Sequence, residues 1–329
     1  MIISRAPVRI TLGGGGTDLA AYYSKFGGFL VAGAINKYVY LSVNKRFEDN
    51  IRLSYSKTEI VSSVSEIQHR IFREAFKLLG MGPGLEAVSI ADVPANCGLG
   101  SSSTFTVSLL NTLHQYKREY VSLEQLAEEA CKIEIEILKE PIGKQDQYLA
   151  AFGGLTCLSI DVNGKVTVEP LTVPQGRVQE LENSILLFYT KKERSASDIL
   201  RDQSGHLEKN HAPTFEILHQ IKEIGLETKK ILEKGDFERF GELLNEHWQV
   251  KKKLSDKITD PFIENCYKEA LLNGAAGGKI MGAGGGGFFM FYCPKDRTGL
   301  IRRMQELGLI WMPFYFEFKG AKVVANLTE

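Results

Sequence analysis

The sequence has few cysteines, and they are not arranged in pairs. The five cysteines are scattered along the chain and none stands in a Cys-x-x-Cys spacing, so neither a disulfide framework nor a zinc site is indicated. No apolar run reaches the ~18 residues that a membrane-spanning helix needs. The opening segment MIISRAPVRITL carries two arginines within a strand-like pattern and does not resemble a signal peptide. We therefore expect a cytoplasmic protein with reduced thiols.

The sequence also lacks an excess of charge of either sign. It contains 40 Lys and Arg residues and 40 Asp and Glu residues, so the formal net charge is zero. Nucleic-acid binding usually needs a basic excess or a basic face, and we expect neither a nucleic-acid partner nor a membrane partner. The length of 329 residues exceeds the common size of a single-core domain, which predicts two lobes that could enclose a substrate.

A Walker A loop is absent from the chain. In the nearest approach to its Gly-x-x-x-x-Gly-Lys-Ser/Thr string, Lys279 is followed by Ile280, which disfavours the common NTPase class. The glycine run at residues 282–287 does match the dinucleotide-binding string Gly-x-Gly-x-x-Gly. That run leads into an aromatic, strand-like segment and not into a helix, so a Rossmann fold is not expected.

Strand-like and helix-like segments alternate in the first half of the chain, and a glycine-rich turn precedes a helix twice. Periodicity predicts strands at residues 2–12, 29–43, 88–93, 153–160 and 165–168, and helices at 18–27 and 101–117. A polar, proline-containing stretch at residues 172–182 then predicts a boundary between lobes at 1–175 and 176–329. The second lobe is expected to contain strands at 184–189, 311–318 and 321–325, and helices between 206 and 254 and at 298–307.

One predicted helix carries a carboxylate on its apolar side. Ser122 and Gln125 form a capping box at the start of this helix. At ~100° per residue, Glu134 falls within roughly 20° of Leu123, near the centre of the apolar face. A buried carboxylate must be paired or bind a metal, so Glu134 is a candidate for either role.

The segment GLGSSST at residues 98–104 is suited to phosphate binding. Its glycines free the backbone to wrap phosphate groups, and the following helix supplies unpaired N–H groups and a positive dipole end. A serine-rich helix cap explains the same residues. The glycine runs at residues 13–16 and 282–287 also have two possible explanations. They allow either the close approach of a ligand or a tight turn or bulge.

Asp146 and Arg9 are candidates for catalytic roles. Asp146 lies in the segment PIGKQDQY at residues 141–148, which combines a base, a cation and amides. A hydroxyl nucleophile in phosphoryl transfer needs such a base, although an isolated aspartate is also typical of a surface turn. Arg9 is either a solvated edge residue or a group that stabilises the charge of a transferred phosphoryl group.

Three glycine-bearing segments resemble, in order, the three motifs of the GHMP kinase superfamily. They are APVRITLGGGGTD at residues 6–18, PANCGLGSSS at 94–103 and GGKIMGAGGGGFF at 277–289. The chain is most similar to the sugar-1-kinase branch that includes D-glycero-D-manno-heptose 7-phosphate kinases, with fucokinase-like and galactokinase-like enzymes further away. The resemblance implies an α+β fold of two lobes, the first like ribosomal protein S5 domain 2 and the second ferredoxin-like, with the active site between them.

The resemblance also implies ligands and residue roles. ATP is the implied co-substrate, and Mg²⁺ would be held by Ser102 and Glu134. Asp146 corresponds to the catalytic aspartate, and Arg9 to an arginine near the transferred phosphoryl group. The implied ATP-binding residues are Pro94, Gly98, Leu99, Gly100, Ser101, Ser102, Ser103 and Thr104. The implied substrate-binding residues are Gly14, Gly15, Gly16, Thr17, Asp18, Lys144, Tyr148, Lys191, Arg194, Gly282, Gly284 and Gly285.

The first motif departs from that of galactokinases. They carry Gly-Glu-His-Thr-Asp where this chain has GGGTD at residues 14–18, which argues against galactose as the substrate. The shorter side chains leave room for another sugar, or for backbone N–H groups to bind a substrate phosphate. Asp18 corresponds to a ligand of a sugar hydroxyl. Lys144, Lys191 and Arg194 are either partners of that phosphate or solvated charges.

The implied activity is the transfer of the γ-phosphoryl group of ATP to the anomeric hydroxyl of heptose 7-phosphate. The 1,7-bisphosphate product would serve nucleotide-activated heptose and surface polysaccharide synthesis. Two alternatives stay open: a kinase for another acceptor, such as fucose, galactose or a mevalonate-type alcohol, and a non-catalytic sensor of sugar and ATP. The presence of Asp146, Arg9 and Glu134 together argues against the sensor. The expected partners are small molecules, and homodimerisation is left open.

Overall fold

The computed structural model describes residues 1–192, 205 and 212–327, which form two lobes. Within them the strands are β1 (Ile2–Gly13), β2 (Gly28–Lys45), β3 (Ile51–Ser54), β4 (Thr58–Val61), β5 (Leu85–Ala91), β6 (Leu155–Ile160), β7 (Val166–Pro170), β8 (Ile185–Tyr189), β9 (Gly277–Ile280), β10 (Phe288–Tyr292), β11 (Ile310–Met312) and β12 (Lys322–Asn326). The helices are α1 (Ala20–Phe26), α2 (Arg70–Leu78), α3 (Ser101–Lys117), α4 (Leu123–Cys131), α5 (Gln145–Phe152), α6 (Val178–Ser184), α7 (Ala212–Lys234), α8 (Phe237–Lys251), α9 (Pro261–Leu272) and α10 (Arg297–Glu306). None of these helices is long and apolar enough to cross a bilayer.

The first lobe is built on an eight-stranded sheet. Its strand order is β12-β1-β2-β5-β3-β4, and β6 and β7 continue from β2. Neighbouring strands are antiparallel except for β3 and β5, which are parallel. The pairing of β1 with β2 shifts register after Pro7, because a residue without an N–H cannot keep the hydrogen-bond ladder regular. Beyond this shift, β1 carries Arg9 and Thr11 towards the space between the lobes.

Helix α3 packs against β1 and β2 and is buried along most of its length, with the bounds that the sequence predicted. Leu109, Leu110 and Leu113 pack in the core of the first lobe. The buried hydroxyl of Thr112 donates to the carbonyl oxygen of Ser108 over 2.7 Å, which satisfies a polar group that could not reach water. Since close packing leaves the helix little freedom to shift, its amino terminus is held in place relative to β1.

The second lobe is built on a four-stranded antiparallel sheet with the order β11-β8-β10-β9. Every residue of β10 is buried, which explains its unbroken apolar and aromatic sequence. Phe289 and Phe291 stack in the outer core of this lobe, with ring centroids 4.8 Å apart. Met290 points to the opposite face and joins Val8 and Ile10 of β1 in one core. This shared core joins the two lobes.

The end of the chain returns to the first sheet. The predicted strand at residues 311–318 is wrong beyond β11, because Pro313 lacks the N–H that a strand ladder needs. Phe314 and Phe316 follow it and are buried in the shared core. β12 then pairs antiparallel with β1, which places Asn326 opposite Ile2. We propose that the boundary between the two lobes lies between residues 175 and 176. The segment 176–329 then supplies one strand, β12, to the sheet of the first lobe.

Candidate active site

A cavity of about 550 Å³ lies between the two lobes. Its first wall is formed by β1 and the loop after it, the loop before α3, and the start of α5. Its second wall is formed by the end of α8, by β9 and by the glycine loop that follows β9. The three motif segments, which are far apart in the sequence, therefore meet around one space.

Arg9 and Asp146 form an ion pair in this cavity. Nε of Arg9 donates to Oδ1 of Asp146 over 2.7 Å, and Nη2 lies 2.6 Å from the same oxygen. Nη1 of Arg9 donates to the carbonyl oxygen of Gly98 over 2.7 Å. The Arg9 side chain is only 4% exposed, which excludes a solvated edge residue, whereas the Asp146 side chain is 20% exposed. The carboxylate of Asp146 therefore faces the cavity from the first turn of α5, close to the loop before α3.

Gly98 and Gly100 shape the loop before α3. Their φ angles are 82° and 78°, in the left-handed region that favours glycine. Gly100 is the N-cap of α3, and because it has no side chain, the N–H groups of the first turn receive no capping hydrogen bond from it. A serine-rich cap is therefore excluded, because the three serines lie inside the helix and line the cavity. An uncapped helix amino terminus of this kind is suited to binding an anion.

Three of the predicted ATP-binding residues do not line the cavity. Pro94 is exposed and Leu99 is fully buried. The hydroxyl of Thr104 donates to the carbonyl oxygen of Gly100 over 2.9 Å, within its own helix. The carbonyl oxygen of Leu99 accepts the backbone N–H of Arg9 over 3.1 Å. These residues support the loop, while the residues that line the cavity are Gly98, Gly100, Ser101, Ser102 and Ser103.

Glu134 is buried, as its position on the predicted helix indicated, and is 1% exposed. Its Oε1 accepts the hydroxyl of Ser102 over 2.9 Å, and its Oε2 accepts the amide of Gln147 over 2.8 Å. Burial, together with the nearby charge of Asp146, raises the pKa of Glu134 to about 7. It lies in a π-helical turn, Lys132–Ile137, that continues α4; such turns are frequent at functional sites.

Asp18 contributes a second buried carboxylate, which is 2% exposed and lines the cavity. It accepts hydrogen bonds from the backbone N–H groups of Gly16 and Gln145, each over 3.1 Å. Burial raises the pKa of Asp18, and the charge of Asp146 acts in the same direction. Gly15 and Gly16 also line the cavity, so this part of the first motif lies where the sequence predicted a substrate.

Gly14 and Thr17 are not placed to bind a substrate, because neither lines the cavity. A side chain at Gly14 would overlap the backbone of Phe29. The hydroxyl of Thr17 donates to the carbonyl oxygens of Gly14 and Phe29 over 2.8 and 2.9 Å. These two residues hold the glycine loop against β2.

Lys144 and Tyr148 are also turned away from the cavity. Nζ of Lys144 lies 3.1 Å from Oε1 of Glu128 and donates to the carbonyl oxygen of Gly164 over 2.8 Å. The hydroxyl of Tyr148 donates to the same carboxylate. Lys191 is exposed and does not line the cavity. Arg194 lies outside the described residues.

The glycine loop after β9 meets the loop before α3 backbone to backbone. Gly282 lines the cavity with a φ of 64°, and a Cβ there would lie 2.7 Å from Cα of Gly98. Gly284 and Gly285 also have positive φ angles, but they pack against Ile258 and do not line the cavity. Close approach of another backbone thus explains Gly282, and turn geometry explains the other two.

A group of basic side chains on the second wall was not predicted from the sequence. His247 and Lys279 are 1% and 3% exposed, and Lys251 lies beside them. Nζ of Lys251 donates to the carbonyl oxygens of Ile280 and Gly282 over 2.9 and 2.6 Å. The one available signal was Lys279, which lies inside the third motif between buried glycines and isoleucine.

Models of the GHMP kinases match both parts of the chain. The model described as the GHMP kinases N terminal domain matches residues 62–154, and the model described as GHMP kinases C terminal matches residues 228–308. The chain belongs to the GHMP kinase family. The predicted α+β fold of two lobes and the prediction of an ATP-dependent kinase are confirmed.

Similar proteins of known name act on sugars. The D-glycero-alpha-D-manno-heptose 7-phosphate kinase of Campylobacter jejuni is 30% identical, over 98% of each chain. The L-fucokinase/L-fucose-1-P guanylyltransferase of Bacteroides fragilis is 26% identical over 92% of this chain and 35% of its own. The crystal structure of a D-glycero-D-manno-heptose 1-phosphate kinase from Bacteroides thetaiotaomicron has a TM-score of 0.82 and 28% identity, and the match covers 100% of both chains.

Proposed function

We propose that the protein transfers the γ-phosphoryl group of ATP to the anomeric hydroxyl of D-glycero-D-manno-heptose 7-phosphate, which gives the 1,7-bisphosphate. The observation that carries this proposal is the Arg9–Asp146 pair beside the uncapped amino terminus of α3, where a triphosphate and an acceptor hydroxyl can meet. The choice of sugar is supported by the Campylobacter jejuni relative, which matches along nearly the whole chain.

The proposed transfer needs positioning and one proton acceptor. The N–H groups of the first turn of α3 bind the phosphates of ATP, and Asp146 accepts the proton of the anomeric O–H. The sugar oxygen then forms a bond to the γ-phosphorus in line as the bond from that phosphorus to the bridging oxygen of ADP breaks. Arg9 offsets the charge on the transferred group, and the proton on Asp146 passes to solvent after the product leaves.

Asp18 orients the sugar in this proposal. Its carboxylate is fixed by Gly16 and Gln145, and the lone pairs that these donors leave free can accept sugar hydroxyl groups. Gln145 is itself fixed, because its Oε1 accepts the hydroxyl of Thr11 over 2.7 Å. Asp18 and Asp146 thus face one substrate from rigid elements, as the alignment of two reacting groups requires.

Ser102 and Glu134 fit a magnesium ion that is bound together with the nucleotide. The described part of the chain contains no group of three or more His, Cys, Asp and Glu side chains that could hold a metal. Mg²⁺ in such enzymes commonly takes one or two protein oxygens and fills its remaining positions with water and phosphate oxygens. Glu134 is a buried carboxylate without a cationic partner among its hydrogen bonds, which a divalent cation would supply. When bound there, Mg²⁺ would neutralise charge on the phosphates of ATP.

A kinase for another sugar is the second candidate. Fucokinase and galactokinase relatives, at 26% and 24% identity, support it, and Gly15 and Gly16 present no side chain that would select one sugar. A non-catalytic sensor is the third, and the ion pair between Arg9 and Asp146 argues against it because a sensor needs no such pair.

The test is a panel of acceptors assayed for ADP release, with ³¹P NMR of the product. We expect heptose 7-phosphate to give the highest kcat/KM and a new anomeric phosphate signal, while galactose, fucose and mevalonate react poorly. A higher kcat/KM for any of these would replace the proposed substrate. Tight binding of sugar and ATP without ADP release would support the sensor instead.

We also propose that the reaction takes place in the cytoplasm. All five cysteines are buried free thiols, which suits a reducing compartment, and ATP is the co-substrate. Fractionation of the native cells, followed by detection of the protein and its activity in each fraction, tests this location.

A further inference from the structure

The second wall of the cavity contains a cationic cluster, which consists of His247, Lys251 and Lys279. Nζ of Lys279 lies 3.0 Å from Nδ1 of His247 and 3.3 Å from the carbonyl oxygen of Leu12. When Lys279 is protonated, its ammonium can only donate, so Nδ1 of His247 then accepts, the ring is neutral and Nε2 carries the proton. The donors of this cluster therefore outnumber the acceptors that the protein offers them.

No carboxylate neutralises the cationic cluster within the described residues. The acceptors of Lys251 and Lys279 are backbone carbonyls and an imidazole nitrogen, and neither lysine is in a salt bridge. Among the residues that the structure describes, four carboxylates line the cavity. Asp146 is paired with Arg9 and Glu140 with Arg70. Asp18 accepts backbone N–H groups, and Glu134 is bonded to Ser102 and Gln147.

Burial of these groups without a counter-charge strongly favours their neutral forms. Burial lowers the pKa of Lys251 to about 7, with a further contribution from Arg9. Burial, together with the charges of Lys251 and Arg9, lowers the pKa of Lys279 well below its usual range. Burial and the two lysines likewise lower the pKa of His247. Unpaired buried charges are costly, and such perturbed groups inside a cleft mark ligand sites. An anion bound in the cavity would supply the counter-charge that the described residues do not.

The position of the cluster relative to the reacting centre suggests which anion it binds. Arg9 and Thr11 lie on one face of β1 and both line the cavity, so the cavity follows this strand. Leu12, whose carbonyl accepts from Lys279, lies three residues beyond Arg9, roughly 10 Å along a strand that rises ~3.4 Å per residue. This backbone spacing leaves room for a sugar between Arg9 and the Lys279 end of the cluster, whereas Lys251, which donates to the carbonyl oxygen of Gly282, lies nearer to the loop before α3.

We propose that Lys279, His247 and Lys251 form the binding site for a phosphate monoester on the acceptor sugar, remote from the hydroxyl that reacts. This inference deepens the proposed function and rests on it. A phosphate monoester carries nearly two negative charges at neutral pH, which matches the two lysines. The Nε2–H of His247 adds a neutral donor, and Gly15 and Gly16 leave space opposite the cluster.

The first experiment compares two acceptors, heptose 7-phosphate and phosphate-free heptose, in wild type, Lys279→Met and Lys251→Met. We expect each substitution to lower kcat/KM for heptose 7-phosphate at least 30-fold through KM, and to lower it far less for phosphate-free heptose. The preference for the phosphorylated sugar is thereby lost. Lys230→Met, which removes a lysine that is 66% exposed on α7, is the matched control and should keep the preference.

The second experiment measures binding of heptose 7-phosphate by calorimetry at pH 8, without ATP, in buffers of different ionisation enthalpy. A bound phosphate raises the pKa of both lysines, so binding by the wild type should take up protons, and this uptake should fall in Lys251→Met and Lys279→Met. Thermal unfolding of the ligand-free variants checks their folding. We expect Lys279→Met to be at least as stable as the wild type, because it removes an uncompensated buried cation.

The outcomes separate this inference from the proposed function. If the wild type uses heptose 7-phosphate and both lysine variants keep the phosphate preference, the cluster is not the phosphate site and the proposed function stands. If the wild type rejects heptose 7-phosphate but prefers another sugar phosphate, and Lys279→Met loses that preference, the substrate is wrong and the inference stands. A wild type that prefers phosphate-free sugars overturns the inference.

Discussion

At the scale of single residues, the cavity has two walls of opposite charge. Asp18, Glu134 and Asp146 line the first wall, and Lys251 and Lys279 line the second. None of these five is on an exposed surface, so each charge depends on a partner or a ligand. Substitutions on the first wall therefore test catalysis and metal binding, whereas substitutions on the second wall test binding of the acceptor phosphate.

Asp146→Asn should remove the proton acceptor while keeping a side chain of the same size. We expect kcat to fall roughly 10²–10⁴-fold and the Kd for ATP to change by less than about threefold, because the amino terminus of α3 is unaltered. Steady-state kinetics and nucleotide binding measure the two effects. Asp49→Asn, an exposed residue far from the cavity, is the control, and near-normal turnover of Asp146→Asn would refute the assigned role.

Glu134→Gln should stabilise the ligand-free protein at high pH and impair magnesium-dependent turnover. The folded protein holds the pKa of Glu134 at about 7, above its ordinary value of 4.5. Its contribution to stability is therefore complete below pH ~4.5 and is lost as the pH rises through 7. At pH 8 we expect the free energy of unfolding of the variant to exceed that of the wild type by on the order of 1–3 kcal/mol. At pH 5 the difference should be much smaller. Denaturant melts at the two pH values, with and without Mg²⁺ and ATP, measure this.

An equal gain at both pH values would contradict the raised pKa of Glu134. Stabilisation of Glu134→Gln by Mg²⁺ and ATP to the same degree as the wild type would contradict its role as a metal ligand. Glu136→Gln, in the same π-helical turn, provides a control for the loss of one carboxylate.

The sequence predicted the burial of Glu134 correctly, but Leu123, which it placed on the same face of the helix, is 39% exposed. In the rest of this run, Leu126, Ala127, Ala130 and Ile133 are buried, and Ile137 at its end is 43% exposed. The chain passes from an α-helix to a π-helical turn after Cys131, and this changes the angle per residue. Tertiary packing decides such a turn, and a fixed period cannot represent it.

The partners of the lysines could not be predicted for a similar reason. Lys144 pairs with Glu128 because α4 and α5 pack together, and nothing in the local sequence of either helix indicates that pairing. Lys251 begins a run of three lysines at residues 251–253, and the sequence alone does not indicate its burial, because burial of a cation depends on the elements that cover it. By contrast, Arg9, Asp146 and the loop before α3 were predictable, since short motifs carry them.

At the scale of elements, the two glycine loops control how closely the lobes approach each other. Gly98 and Gly282 are in backbone contact, so neither position has room for a Cβ. The strands and helices that hold these loops were largely predicted, including both ends of α3. The contact itself was not, because it joins residues far apart in the sequence.

Gly98→Ala should cost more stability than Gly84→Ala, although the two φ angles are both 82°. A Cβ at Gly98 would lie 2.8 Å from the carbonyl oxygen of Met281, whereas a Cβ at Gly84 meets nothing within 4 Å. Gly84→Ala therefore measures the cost of the backbone conformation alone, about 1–2 kcal/mol. We expect Gly98→Ala to cost about 1–3 kcal/mol more and to raise KM for ATP. Equal losses in urea unfolding would show that the loops can move apart.

At the scale of the whole molecule, the two lobes are joined by the chain and by a common core. Ile10 of the first sheet and Met290 of the second pack in that core, and β12 brings the end of the chain back to β1. Length and a polar boundary predicted two lobes, but could not predict that the last strand would cross back.

A chain that ends at residue 321 should be less stable than one that ends at residue 327. The shorter chain lacks β12 and leaves β1 at the edge of the sheet, where unpaired backbone groups favour aggregation. We expect a loss of about 1–3 kcal/mol from the missing ladder hydrogen bonds, measured by urea unfolding, and more light scattering on heating. Identical unfolding midpoints for the two chains would mean that β12 contributes no net stability.

The return of β12 makes the second lobe an insertion within the first. The chain leaves the first sheet at the end of β7, residue 170, pairs with β2 again at Phe316, opposite Ile35, and adds β12 from residue 322. The lobes are thus joined by two crossings of the chain as well as by the core that β1 and β10 share. Since a close-packed core leaves little freedom to shift, the catalytic wall and the cationic wall are held in one alignment across the cavity.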